Sequence, residues 1–511
     1  MRGTRGHGIS RVVLGVAVVL AGPWAGRASA HTFVESTTPK AESTQRQAPR
    51  FVVMRFTEPV EVGFGGIEVI APGGARADVG EPDYLEGDDS TLRVALTDDL
   101  PNGRYAVEWR VVAADGHPRE GRFRFRLEQP TASPTSPSSP PPVMESPASG
   151  GVGAMGDTHE GAGTLPEIFL GVARWFLFAS LLLLVGMGGF ALLVWRPATR
   201  LARPPEVEEA FWRRWRLVMA WAWAGAMIAS AVSLVLEGSV AADVPLTDAL
   251  STDILAAVLG TRFGAVTAIR LAVLVLVGGL FLRAGAGITR RVLVPAGATR
   301  SLGAAAASSG VQRSSVIVWG LVGVIVLATV SLAGHAGSSS PVVLGVTFDV
   351  VHLLAGALWI GGLVGLVGVA MPATRGTGEQ ARVAILAPVV SRFSNMALIS
   401  VTALVVTGAV RGWMEIRTLA ALTGESYGIA LLVKLAVVVP LLVLGAINNR
   451  WTRPRIRRAA EDASLAESGA RGVRMLGRLV LAEVLLAVAV LAVTAVLVNL
   501  APPVDAMGGG H

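Results

Sequence analysis

Ala28-Ser29-Ala30-His31-Thr32-Phe33 is the stretch from which the rest of the chain can be placed. Ahead of it lie Arg2, Arg5 and Arg11 and an apolar run from Val12 to Ala21, and Ala28-Ser29-Ala30 is a small-x-small cleavage site. Residues 1–30 therefore read as a secretory signal peptide, and cutting after Ala30 makes His31 the first residue of the mature chain. An N-terminal histidine offers a free α-amine and an imidazole nitrogen on one residue, enough to chelate a metal ion. Copper(II) favours such nitrogen-rich, tetragonal sites. The domain that begins at His31 is expected to fold on the outer side of the membrane.

The 511 residues are 52% hydrophobic and only 16% charged, too apolar for an ordinary soluble domain. The excess is uneven, because residues 31–128 have soluble character and the long apolar runs begin near Ile168. There is no cysteine, so an exported chain here uses no disulfides, and any metal site must be built from His, Met, carboxylates or the terminal amine. The net charge of +7 is carried almost wholly by arginine. These arginines cluster in short loops between apolar runs, the pattern of cytoplasmic loops of a membrane protein rather than of a nucleic-acid surface.

From Phe51 to Leu127 the pattern is β. Runs at 51–56, 67–70, 92–96, 105–112 and 122–127 alternate apolar and polar residues, punctuated by Ala71-Pro-Gly-Gly74, Pro101-Asn-Gly103 and Asp115-Gly-His-Pro118. Short strands at regular turn spacing predict an all-β sandwich over 31–128. Residues 129–165, rich in Pro, Ser and Gly, read as a linker in which His159 is a solvated side chain. Over 166–500, apolar runs long enough to cross a bilayer fall near 168–194, 216–236, 263–283, 315–335, 345–370, 394–413, 428–448 and 476–499. The predicted class is thus multi-domain: a β-sandwich followed by an all-α polytopic bundle of about eight transmembrane helices. Arg196 to Arg216, Arg283 to Arg313 and Arg450 to Arg458 mark inner loops, while the acidic stretch from Glu237 to Asp253 marks an outer one. Eight spans put every basic loop inside and leave the N-terminal domain and the flexible tail, 501–511 with its terminal His511, outside.

Two constellations carry chemistry. In the first, Asp115 and His117 flank a glycine so that both side chains can project toward one point, and with His31 they make a compact N and O donor set for copper(II). Glu58, in Phe56-Thr-Glu-Pro59, is a candidate supporting carboxylate; a plain β-turn at 115–118 and a solvated turn glutamate are the alternatives. In the second, His335 closes the fourth apolar run, and His352 lies inside the fifth, three residues after Asp349 and on the same helix face. Ionisable groups in a bilayer are costly and face interior pathways. A His335–His352 copper site, a histidine-held haem, and purely structural hydrogen bonds all fit. Arg270 and Glu483 are expected to pair with each other across the bundle, and Lys434 to snorkel or pair with Glu415 or Glu237. Met187, Met219, Met227 and Met396 are read as packing.

The residues just quoted resemble a known pair of families. His31-Thr-Phe-Val-Glu-Ser36, Phe56-Thr-Glu-Pro-Val60, Gly103-Arg-Tyr-Ala-Val-Glu-Trp-Arg-Val-Val112, Asp115-Gly-His-Pro118 and Gly121-Arg-Phe-Arg-Phe125 resemble the copper-binding CopC family, an Ig-like or cupredoxin-like sandwich. That resemblance implies a copper(II) ion held by His31, Asp115 and His117; with Met54 alone in the domain, no Met-rich copper(I) site is expected. Gly334-His-Ala336, Asp349 with His352, Leu358-Trp-Ile-Gly-Gly362, Arg392-Phe-Ser394, Thr407-Gly408, Tyr427-Gly428, Lys434 and Leu444-Gly-Ala-Ile-Asn-Asn-Arg450 resemble the CopD copper-resistance membrane family. The resemblance implies copper(II) captured in the periplasm and passed through an inner-membrane domain, inward, in copper homeostasis; because the membrane half offers Met and His but few hard ligands, reduction to copper(I) on the way is expected. The partners it implies are the lipid bilayer, copper ions and other copper-homeostasis proteins. No enzyme activity is expected. A haem-binding redox protein coupled to external copper, and a copper sensor or chaperone without transport, are the alternatives. Nothing in the sequence has the pattern of a nucleotide-binding P-loop.

Overall fold

The computed structural model describes residues 34–85, 87–113, 118–130, 165–198, 204–291, 302–334, 342–415, 419–424 and 426–497. They fall into two compact units, one holding the strands and one the long helices.

The strands are β1 (Val34–Thr38), β2 (Thr44–Gln45), β3 (Phe51–Phe56), β4 (Val60–Ile70), β5 (Asp78–Leu85), β6 (Asp88–Leu96), β7 (Gly103–Ala113) and β8 (Pro118–Leu127). They form two four-stranded sheets, ordered β1-β3-β6-β5 and β2-β8-β7-β4. The period-2 pattern decides the faces. Val52, Met54 and Phe56 of β3 point inward and meet Tyr105, Val107, Val111, Phe125 and Leu127 from the other sheet, all almost fully buried. Tyr105 stacks on Phe125 with ring centres 5.0 Å apart. Met54 is core packing. The strands not anticipated from sequence, β1, β2 and β5, lie at sheet edges, where polar residues and Pro82 are tolerated because one side needs no partner.

One buried carboxylate fastens an edge of this sandwich. Asp78 Oδ1 accepts from the Val69 backbone N–H at 2.8 Å and its Oδ2 accepts from Arg76 Nη2 at 2.7 Å. Burial alone would raise the Asp78 carboxyl, but the hydrogen bonds from Arg76 and Val69 outweigh it and hold it below the usual range. A depressed carboxylate stabilises above its unfolded pKa, so this contribution is present at neutral pH and is lost as pH falls below about 4. Asp78→Asn is expected to cost about 1–3 kcal/mol and to flatten the acid limb of a pH–stability curve; an unchanged acid limb would remove Asp78 from that role.

After the strands, α1 (Leu165–Gly189), α2 (Pro205–Ala242), α3 (Thr252–Gly260), α4 (Arg262–Arg291), α5 (Leu302–Leu332), α6 (Val342–Val364), α7 (Glu379–Glu415), α8 (Leu419–Gly424), α9 (Ser426–Ile447), α10 (Arg453–Glu461) and α11 (Ala466–Leu497) follow in order, all but α3 lying wholly or mainly in the helical unit. Seven helical stretches are long and apolar enough to cross a membrane, and α5 adds a shorter apolar segment, Val316–Leu332, among the described residues. Long helices therefore stand at all eight expected positions. Their outward faces carry bare apolar side chains such as Trp221, Ile228 and Ile399, the first 76% exposed, which only lipid can cover.

The second half of this unit repeats the first. Gly186 and Pro197-Ala-Thr-Arg200 match Gly361 and Pro372-Ala-Thr-Arg375, 175 residues on. Both helices end in a π-helical turn at that same offset, Phe190–Trp195 after α1 and Gly365–Ala370 after α6. Leu255-Ala-Ala-Val-Leu-Gly-Thr-Arg-Phe-Gly264 matches Leu419-Ala-Ala-Leu-Thr-Gly-Glu-Ser-Tyr-Gly428, and Arg270-Leu-Ala-Val273 matches Lys434-Leu-Ala-Val437. The two copies meet in register. A Cβ built on Gly186 would touch Gly361 Cα, and one on Gly365 would touch the Phe190 ring, so α1 and α6 run parallel. Parallel repeats of this kind are related by an axis along the membrane normal.

Candidate metal centre

Strand register brings three chain segments to one end of the sandwich. Val34, three residues after His31, pairs with Phe56 at the end of β3. Two residues later stands Glu58, half-buried in the β3–β4 turn, and Val60 pairs with Ala113, the last residue of β7. Val112 in turn pairs with Pro118, closing the β7–β8 hairpin whose tip carries Asp115 and His117. The described anchors of all four sequence-predicted side chains thus converge. His31, Asp115 and His117 themselves lie outside the described residues, as does His335.

His352 is the histidine the structure describes, on α6 and half-buried. Its Nδ1 lies 2.8 Å from Thr407 Oγ1 on α7. The Thr407 hydroxyl donates its own proton to the Ala403 carbonyl at 2.7 Å, as membrane-helix threonines commonly do. A hydroxyl has one proton, so toward His352 it can only accept. When the Thr407 proton goes to Ala403, Nδ1 carries the hydrogen and Nε2 keeps a lone pair that can bind a metal. Gly408 leaves room beside the ring; a Cβ there would stand 3.6 Å from His352 Cε1.

One turn along the same pair of helices, Asp349 Oδ1 meets Arg411 Nη1 at 3.0 Å. The imidazole–hydroxyl and carboxylate–guanidinium contacts form two rungs between α6 and α7. Asp349 is thereby an ion-pair partner and positions the helix pair rather than standing as an open ligand. Lys434 of α9 and Arg411 are within electrostatic range of the imidazole. Among the described residues no three His, Asp or Glu side chains gather closely enough to hold a metal alone. Thr407 and Arg411 are the partners of the candidate residues His352 and Asp349 that sequence reasoning missed. Thr407 was visible as half of a Thr-Gly motif, but nothing 55 residues away announces a histidine partner.

One expected pairing is corrected. Arg270 does not meet Glu483: its Nε and Nη2 donate to Thr329 Oγ1 and the Thr329 carbonyl, both at 2.9 Å. Glu483 accepts from Asn448 Nδ2, which the π-helical turn Asn448–Thr452 at the end of α9 presents to α11. Glu237 pairs with Arg174 at 3.2 Å. Each group settles with the helix beside it. Met187 and Met219 are buried packing, and Met396 lies against Gly362.

Comparison with known proteins matches the CopC domain family over residues 34–128, the copper resistance protein D-like N-terminal domain over 165–313, and copper resistance protein D over 387–497. The chain belongs to the fused CopC–CopD copper-resistance family. It is 26% identical to the copper transport protein CutJ of Bacillus subtilis over 451 residues, 88% of this chain and 72% of that one. Copper resistance protein C of Pseudomonas syringae is 29% identical over 106 residues, 20% of this chain and 83% of that protein. The crystal structure of CopC from Methylosinus trichosporium OB3b is 26% identical over 19% of this chain and 95% of that one, with a TM-score of 0.18. In this fused CopC–CopD chain the N-terminal domain family matches most of the first helical copy, and the CopD family match lies within the second, beginning after His352. It is a multi-pass membrane protein of copper handling.

Proposed function

We propose that this protein captures copper(II) on the periplasmic side with His31, Asp115 and His117, steadied by Glu58, and passes copper to the helical unit for movement inward across the plasma membrane. The 129–165 segment acts as the tether, holding donor near acceptor at an effective concentration on the order of millimolar. His352 is the receiving ligand in the membrane, with His335 as its partner, and copper crosses as copper(I). The chain acts as a carrier and performs no enzymatic step. The observation that carries this reading is the chain of contacts from His352 Nδ1 to Thr407 to the Ala403 carbonyl inside a bilayer-spanning helix, an arrangement that suits a ring whose Nε2 serves as the ligand.

The test is cellular copper content at low external copper, comparing the intact protein with His352→Ala and His31→Ala at matched membrane levels. The intact protein is expected to raise copper. His352→Ala abolishes the rise, and His31→Ala weakens it only when copper is scarce. Identical copper content in all three would sink inward transport and turn attention to haem spectroscopy of the purified protein.

A further inference from the structure

The start of α7 and the first turns of α11 bring together arginines that the fold leaves short of counter-charge. Arg474 of α11 donates to Glu379 Oε1 of α7 at 3.4 Å. Arg382, one turn after Glu379, is half-buried, and its Nε is shut off from solvent with no hydrogen-bond partner among the described residues. Arg375, Arg474 and Glu379 all lie within electrostatic range of it. Three guanidinia thus share one carboxylate, and Arg474 already engages that carboxylate. A small cleft of about 20 Å³ opens between Arg382, Glu379 and Arg474, with Val383, Ala470 and Val473 as its apolar wall. It has room for one water-sized group. A guanidinium is always charged, and buried donors in native proteins rarely stay unpaired.

This corner stands at the surface of the bilayer. The last helix ends at Leu497. About 20 residues cross the hydrocarbon core, so counting back from that end brings Arg474 and Arg478 to the depth of the headgroups. These two arginines lie one turn apart on an exposed face of α11, and Leu481, 50% exposed, continues that face one turn deeper. Positive charge at the surface followed by a bare apolar side chain is the outline of an amphiphile rather than of a free ion.

We propose that this corner binds the headgroup phosphate of an anionic phospholipid. One phosphate oxygen enters the cleft and accepts from Arg382, Arg375 and Arg474 flank it, and an acyl chain lies along Leu481. Hydrogen bonds from guanidinium to phosphate are charge-assisted, and basic pockets between membrane helices recognise such headgroups. Glu379 does not close the site. Its side chain is 64% exposed and held by Arg474, and three guanidinia against one carboxylate leave the corner positive. The site is independent of the copper reading. A lipid bound there fastens α7, the helix that carries Thr407 and Arg411, to α11.

The experiment melts the full-length protein in nanodiscs of phosphatidylcholine alone and of phosphatidylcholine with phosphatidylglycerol, at equal ionic strength. Phosphatidylglycerol is expected to raise the melting temperature by about 2 °C or more. Arg382→Gln is expected to melt at or above the parent in phosphatidylcholine, since it removes one of three crowded like charges, and to lose most of the phosphatidylglycerol shift. Arg457→Gln, on α10 in a surface pair with Glu461, should keep that shift in full. Soluble glycerol phosphate added to phosphatidylcholine discs should produce none. A parent that melts identically in both lipids overturns the site, and so does a shift that Arg382→Gln retains. A shift that Arg457→Gln loses equally would make it an effect of overall surface charge, and a shift from glycerol phosphate would make the ligand a free phosphate ester; either result overturns the lipid site.

Discussion

Thr407→Val is expected to lower the apparent copper affinity of the proposed membrane site about 10- to 100-fold, close to the effect of removing the imidazole, while the protein folds and inserts normally. Valine fills the same volume, so α6 and α7 keep their spacing. What is lost is the acceptor for His352 Nδ1–H, 2.8 Å away in the parent. The ring must then turn or change tautomer to find another acceptor, and Nε2 no longer points where the fold directs it. Thr407→Ser keeps a hydroxyl that can accept from His352 and donate to the Ala403 carbonyl, and should retain most of the parent's copper accumulation. The measurement is copper content against external copper for the three proteins at matched membrane levels. Equal curves for valine and threonine would show that the hydroxyl does not orient the ligand, and would leave His352 as packing.

The reason this partner stays hidden in sequence is physical. A threonine in a membrane helix ordinarily satisfies itself against its own backbone, and Thr407 does so. Its second role, as acceptor, depends on which helix lies beside it, and apolar runs alike in composition do not say. The same gap explains why Arg270 and Glu483 look like a pair from charge alone and prove to be settled separately, with Thr329 and with Asn448. What sequence does carry is whatever depends on local period or length. The alternation of Val52, Met54 and Phe56 marks an inward face without reference to the rest of the chain, and a run such as 345–370 marks a span by length alone. Edge strands β1 and β5 fail that reading because their polar outer positions obey no period. The candidate ligand set at the end of the sandwich was legible as residue types, and strand register brings its described anchors to one end. The internal repeat escaped because its matches sit at unequal offsets, 175 residues for Gly186 and Gly361 but 164 for Arg270 and Lys434, so connecting segments of different length blur any fixed period.

That repeat makes Gly186 the residue whose substitution should damage the helical unit most. Gly186 and Gly361 occupy the same place in the two copies, and there the backbones of α1 and α6 touch. A Cβ on Gly186 would overlap the Ala357 carbonyl oxygen, and one on Gly361 would come within 2.6 Å of Gly186 Cα. Backbone atoms cannot swing aside as a side chain can, so the helices must separate along the line where Met187, Ala357 and Leu363 are fully buried. In a bilayer, helices associate through close packing of this kind, without a water-driven hydrophobic force to compensate for a gap. Gly186→Val is expected to cost about 3 kcal/mol or more, at the upper end for overpacked cores, and to lower the melting temperature by about 10 °C. Gly279→Ala is the matched control. Nothing lies within 4 Å of a Cβ there, and alanine favours a helix over glycine, so that variant should be neutral or slightly stabilised. If the two variants melted alike, the contact between the copies would not be what holds α1 to α6. If Gly186→Val alone fails, the pairing of the copies is what sets the α6 backbone, and with it the rungs from Asp349 to Arg411 and from His352 to Thr407 on that helix's other partner, α7.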